Sequence, residues 1–326
     1  MENRIVRKMI KAMEIEEGDK VLLNFWGEND DITDLRVFEE MLEEEGITFQ
    51  TLSHMSKDYI SLFNDRNEGL EQAWYKQFDD VTVVIDLMCR APGLLPQGLA
   101  EEKIQLLAGH LKNLFAIFAK KRKLIQVTMP TKNNAKLVGM DVTQYIERII
   151  RALDIDYVTL KEDCKKKIAE FEGHTRTIKT GKNCVLTVNT ADRNWIIDAG
   201  DGALPCGEIY IAPIEEKSQG NIFFETLSLE GVAVFKNVTV TIQDGHIIYS
   251  DCDEFDAFIK DLPEGGNVVA ELGIGMNPNV DVVMGDSNLD ENALGTLHIG
   301  IGMNHLFGGK NQCPCHYDFV AIGVVE

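Results

Sequence analysis

Nothing in the sequence approaches the roughly 18 consecutive apolar residues that a membrane span requires. Residues 1–20 scatter charge of both signs through their apolar positions and lack the apolar stretch and small-residue cleavage site of a secretory signal, so a cytoplasmic protein is expected. Positive charge is scarce. Thirty-two Lys and Arg stand against 53 Asp and Glu, a formal charge of −21, and such a surface repels phosphate backbones and anionic lipid. Neither nucleic acid nor membrane is therefore an expected partner. Proline is rare, 8 residues beside 27 glycines, and with 44% hydrophobic residues the chain is neither low-complexity nor disordered. The 7 cysteines are odd in number and irregularly spaced, which argues against a disulfide framework; only Cys313 and Cys315 are clustered. A phosphate-binding loop is also missing. The junction at residues 24–29 has one glycine, Gly27, and acidic neighbours where a dinucleotide loop needs several glycines and a helix start open to anions.

A chain of 326 residues is long enough for two domains, each with its own core. The N-terminal half alternates short β-branched runs with helical patterns. Strands are expected at Val21–Trp26, Ile47–Leu52, Val81–Met88 and Leu124–Met129, with helices at Asp31–Glu45 and Leu99–Lys121. That alternation predicts an α/β domain with a parallel sheet covered on both faces, Rossmann-like in shape, over residues 1–159. Two more helices, Thr143–Leu153 and Lys161–Phe171, lead into a segment of different character. Strands are expected at Cys184–Val188, Gly207–Ala212, Val232–Gln243, Val268–Ile274, Leu297–Ile301 and Asp318–Val325, an α+β, sheet-rich domain over residues 160–326.

Alternation along a strand assigns each residue a face. Glu208, Tyr210 and Ala212 share one face, as do Glu271, Gly273 and Gly275, and again His298, Gly300 and Gly302; Ile, Leu and Met fill the opposite faces. Glycine weakens a strand interior unless something must approach closely, so a cavity beside Glu271 and His298 is expected. His316 and Asp318 can point together from the last strand. Glu208, Glu271, His298, His316 and Asp318 make a carboxylate and imidazole set suited to two borderline divalent ions, Zn, Mn or Co.

The run Leu289–Ala293 followed by His298–Gly302, with Leu204–Pro213 before it and His316–Asp318 after it, resembles the aminopeptidase T class of leucyl aminopeptidases. The resemblance implies a dimeric, dinuclear metallopeptidase with an α/β N-terminal domain and a metal-binding C-terminal domain. It would make Glu208, His298, His316 and Asp318 metal ligands, and Glu271 a ligand or the general base. Where the family has a catalytic tyrosine seven residues after the histidine that matches His298, this chain has His305, which the resemblance places in the catalytic set. The connection from His298 to His316 is shorter than is typical, and Cys313 and Cys315 bring thiols next to His316.

The expected function is hydrolysis of short peptides or small amides from the N-terminus, with a glutamate taking the proton of the attacking water. The alternative, resembling the dihydroxypyridine dioxygenases, is a ring-cleaving dioxygenase with one Fe(II) held by His298, His316 and Asp318. A binding protein with a closed structural metal site is the third reading. A homodimer is expected, with Met303, Leu306 and Phe307 near its interface. Cys206, Cys313, Cys315 and His305 could form a soft-metal set, although reduced structural thiols are the simpler reading. Arg193 could hold a substrate carboxylate or sit in a salt bridge, and Tyr210 could border the pocket or pack as a strand aromatic.

Overall fold

Val21–Trp26 is buried at every position, as a strand must be when helices cover both faces of its sheet. The computed structural model describes residues 1–229, 233–280 and 285–326. Its strands are β1 (Val21–Trp26), β2 (Phe49–Ser53), β3 (Val83–Met88), β4 (Lys123–Thr128), β5 (Thr175–Thr180), β6 (Val185–Asn189), β7 (Ile196–Asp198) and β8 (Ala203–Leu204). They continue as β9 (Glu208–Ile211), β10 (Gln219–Leu229), β11 (Ala233–Gln243), β12 (His246–Ser250), β13 (Val269–Gly275), β14 (Thr296–Gly302) and β15 (His316–Val325). The helices are α1 (Asn3–Ala12), α2 (Ile32–Glu44), α3 (Ser56–Phe63), α4 (Gln72–Tyr75), α5 (Ile104–Phe118), α6 (Lys132–Leu137), α7 (Val142–Leu153), α8 (Tyr157–Ala169), α9 (Asp253–Asp261) and α10 (Ser287–Asp290).

The chain divides into two units, Met1–Asp154 with Gly200–Pro205, and Ile155–Ala199 with Cys206–Glu326. The change of character, expected at residue 160, thus falls earlier. Asp156 starts α8 by accepting hydrogen bonds from the Val158 and Thr159 N–H groups. The return of Gly200–Pro205 was not foreseen, because a two-residue strand carries no periodicity.

In the first unit five parallel strands lie in the order β2-β1-β3-β4-β8. Parallel neighbours need long crossovers, and the helices between the strands provide them. Leu22 and Val84 pack against Tyr75, Phe78, Leu114 and Phe118. Trp26 packs with Tyr59, Phe63 and Leu107. Polar residues inside this core meet one another: Asn24 donates to Asp86 Oδ1 at 2.7 Å, and His54 Nε2 lies 2.6 Å from Asn24 Oδ1.

The second unit carries a ten-stranded sheet in the order β12-β11-β10-β6-β5-β15-β14-β13-β9-β7, its strands pairing antiparallel. Ile211, Leu272, Leu297, Ile299, Ile301 and Phe319 belong to one apolar cluster with Phe255 of α9. The other faces of β9, β13, β14 and β15 are left for polar side chains. Of the expected strand at residues 232–243, the portion at Val232 lies outside the described residues. Sequence reading missed β10, because Ile222, Phe223 and Phe224 are buried in succession and break the alternation on which strand recognition depends. Among the described residues, no helix is long and apolar enough to cross a membrane.

Candidate metal centre

Four adjacent strands, β9, β13, β14 and β15, bring the expected polar residues together through their register. Glu208 pairs with Gly275, Tyr210 and His298 with Gly273, Glu271 and Asp318 with Gly300, and His316 with Gly302. Paired residues share a face, so Glu208, Glu271, His298, His316 and Asp318 all project to the side opposite the apolar cluster. The glycines opposite them have a concrete purpose. A Cβ on Gly273 would lie 1.9 Å from His298 Cε1, and one on Gly300 would lie 2.6 Å from Asp318 Oδ1 and 2.7 Å from Glu271 Cβ. The space expected to be a cavity is occupied by the polar side chains themselves.

These side chains form two groups that share Glu271. One holds Glu208, Glu271 and His298, the other Glu271, His316 and Asp318, and within each the nearest donor atoms lie within 4.8 Å of one another. His298 Nε2 is 3.2 Å from Glu271 Oε1 and 3.4 Å from Glu208 Oε2. His316 Nε2 is 3.4 Å from Glu271 Oε2 and 3.2 Å from Asp318 Oδ1. Such separations match the edge of a tetrahedral coordination sphere, roughly 3.3 Å for bonds of about 2.0–2.1 Å. On its far side His316 Nδ1 lies 2.7 Å from the Met303 carbonyl oxygen, which fixes the tautomer and turns Nε2 toward the carboxylates.

The electrostatics show what the donor set lacks. Burial pushes the Glu208 carboxyl up to about 8, and the negative charges of Glu271, Asp198 and Asp318 add to it against the pull of His298. Burial opposes charging His298, yet its hydrogen bond to Glu271 and the charges of Glu208 and Asp318 lift it to about 9. His316, lifted by Asp318 and Glu271 against its burial, reaches about 11. Glu208 Oε2 is buried without a hydrogen-bond partner. Carboxylates crowded together, imidazole nitrogens turned among them and an orphaned oxygen together fit divalent cations.

Glu291, at the end of α10, was overlooked by sequence reasoning. Burial raises its carboxyl well above the ordinary range, and Glu208, Asp318 and Glu271 raise it further, so it stands within their field. The only signal for it was its place in the run Leu289–Ala293, which carried no strand alternation. Phe307, expected near a dimer interface, also meets rings of its own chain. Its ring is 5.7 Å from that of His316 and 5.6 Å from that of Tyr210, both edge-on.

The structure does not bring His305 into the cluster. It is exposed in the short turn His305–Phe307, its Nδ1 lies 3.2 Å from the Asn311 carbonyl oxygen, and the turn places Phe307 beside His316 instead. Cys206, Cys313 and Cys315 form no disulfide, and among the described residues neither donor group includes a sulfur. Arg193 is committed to Glu215, at 2.8 Å in a buried pair whose other carboxylate oxygen accepts the Lys310 N–H. His298, His316 and Asp318, the three residues of the single-iron alternative, are divided between the two groups.

A family model described as thermophilic metalloprotease (M29) matches residues 11–314. The match ends just before His316, so His316 and Asp318 are placed by the structure alone. No curated protein matches the chain. Among solved structures, wild-type AmpT from Thermus thermophilus has the same fold, with a TM-score of 0.72 over 99% of this chain and 94% of that one at 17% identity. A parallel five-stranded sheet with helices, a large antiparallel sheet and a family match spanning nearly all of both units lead to one conclusion: the chain belongs to the M29 family of thermophilic metalloproteases.

Proposed function

We propose that the protein is a dinuclear, metal-dependent aminopeptidase that removes N-terminal residues from short peptides. Glu208, Glu271 and His298 would hold one divalent ion, and Glu271, His316 and Asp318 the other, with Zn, Mn or Co suited to the mixed oxygen and nitrogen donors. The observation that carries this reading is the division of Glu271, one oxygen facing each histidine. When bound, such ions would polarise the scissile carbonyl and acidify the attacking water.

The chain's own residues do the rest. With one oxygen facing each histidine, Glu271 is placed as a ligand shared by both ions, and the base role considered for it is assigned to Glu291, which stands in the field of Glu208, Asp318 and Glu271. Glu291 would take the proton of the attacking water, once bound cations offset the burial and negative neighbours that raise its carboxyl, and return it to the leaving amine. Met303 keeps the imidazole of His316 aimed at the donor set. Tyr210 and Phe307 form an aromatic wall at its side. Because His298 is 1% exposed and Glu271 6%, a chain end is the part of a peptide that can reach them. Seven cysteines, none in a disulfide, support a reducing, cytoplasmic setting, and Leu306, 76% exposed, supports a homodimer.

Metal content per chain, after purification without chelator, tests the reading. About two Zn, Mn or Co ions with release of N-terminal residues is the expected result, and about one Fe per chain would return the dioxygenase.

A further inference from the structure

Immediately before His316 the chain reads Cys313-Pro314-Cys315, a pair of thiols that the hydrolytic site does not use. Their sulfurs are 3.2 Å apart, Cys313 buried and Cys315 partly exposed. Among the described residues no third ligand joins them, so they are not a preformed thiolate metal site. Pro314 fixes its own φ and offers no N–H to the surroundings, which leaves the two flanking side chains on a short, stiff span.

The backbone ties this pair to the metal centre. The Cys315 carbonyl oxygen accepts the Met303 N–H at 2.8 Å, and the next residue, His316, pairs through Nδ1 with the Met303 carbonyl oxygen at 2.7 Å. Cys315 has no slack on its inner side: a Cβ on Gly302 would lie 2.3 Å from the Cys315 carbonyl oxygen.

We propose that Cys313 and Cys315 are a redox dithiol that closes to an intrachain disulfide and, through Met303 and His316, loosens the ion-holding group of Glu271, His316 and Asp318. The second half of the proposal rests on the metal-centre reading above. The oxidant class is a small-molecule disulfide. Cys315, the partly exposed one, gives up its thiol proton as it attacks one of the oxidant's sulfurs, forming a mixed disulfide and expelling one small thiolate. Cys313, as thiolate, then attacks Cys315 Sγ; the protein S–S bond forms, the mixed bond breaks and the second small thiolate leaves. Two electrons pass to the oxidant, and the two thiol protons end on the two expelled thiols. Closure draws the sulfurs from contact distance to a bond of about 2.05 Å. With Cys315 held against Gly302, that movement passes into the peptide joining it to His316, and disturbing a partner that orients a ligand typically costs about 10–100-fold in metal affinity.

The test equilibrates the full chain, metal-free and zinc-loaded, with graded ratios of reduced and oxidised glutathione. It reads intact mass, mapped peptides and zinc affinity by competition with a chromogenic chelator. The expected result is loss of two hydrogens confined to the peptide carrying Cys313 and Cys315, zinc held at least about ten-fold more weakly by the oxidised chain, and oxidation resisted by the loaded one. Cys313→Ser and Cys315→Ser should each abolish the mass loss. Glutathione adducts without ring closure at every ratio, or a closed disulfide that holds zinc as tightly as the dithiol, would overturn the proposal. No peptide substrate enters the experiment. A chain that binds no zinc in either state defeats the metal-centre reading and the coupling together, while the mass change still decides the disulfide.

Discussion

Gly273 lies opposite His298 across the β13–β14 pairing, so close that a methyl group on residue 273 would sit 1.9 Å from His298 Cε1 and 2.0 Å from Nε2. The donor nitrogen and the missing side chain compete for one volume. Gly273→Ala should therefore displace the imidazole and lower metal content, at an overpacking cost of about 1–3 kcal/mol that leaves the fold intact. Metal analysis beside a thermal melt checks this, and unchanged metal content would show that the ring has room to move.

Glu271 and Glu291 should separate in their phenotypes. Glu271→Gln removes a charge that both groups share and should lower metal content, as should His298→Ala. Glu291→Gln should keep its metal and lose about 10²–10⁴-fold in kcat. Atomic absorption with steady-state kinetics on the same samples distinguishes the two; a Glu271→Gln variant with full metal content and no turnover would restore Glu271 as the base.

Acid should weaken the first unit through His110. Its burial holds the imidazole down to about 4, with Nδ1 3.0 Å from the Tyr75 hydroxyl. The unfolded chain takes its proton near 6.5, so the stabilisation is complete above that pH. It is lost progressively as pH falls from about 6.5 to about 4, up to roughly 3 kcal/mol in all. Urea denaturation across that range should show His110→Gln losing less stability than the parent chain. Parallel curves would remove His110 as a source of acid sensitivity.

Leu306, 76% exposed in the turn after β14, should lie in the interface of a homodimer. Light scattering should give twice the chain mass for the parent protein and a single chain for Leu306→Glu. A monomeric parent at working concentration rules the assembly out. Short peptides should be hydrolysed by either form, and folded proteins by neither, because the donor atoms are buried.

Period-two alternation made the faces of β9, β13, β14 and β15 readable, and with them Glu208, Glu271, His298, His316 and Asp318. Alternation fixes the side of a strand and says nothing about which strands are neighbours. The division of Glu271 between two histidines, which decides between one ion and two, is a product of register and became visible only in the structure. Glu291 lay beyond periodic reasoning because a residue closing a four-residue helix has no repeat to reveal its direction. His305 was placed by counting along the chain from His298. A short turn ending at Gly308, with φ of 102°, presents Phe307 in its stead.

The return of Gly200–Pro205 also governs the order in which the protein can be completed as it is made. Among the described residues β8 is the one neighbour of β4 on its outer side, and it emerges from the ribosome after α8 and β5–β7, which belong to the other unit. Until Leu204 appears, the nascent first unit carries an open strand edge at Gln126 and Val127, the kind of edge that recruits foreign strands. A fragment ending at Asp154 would keep that edge permanently.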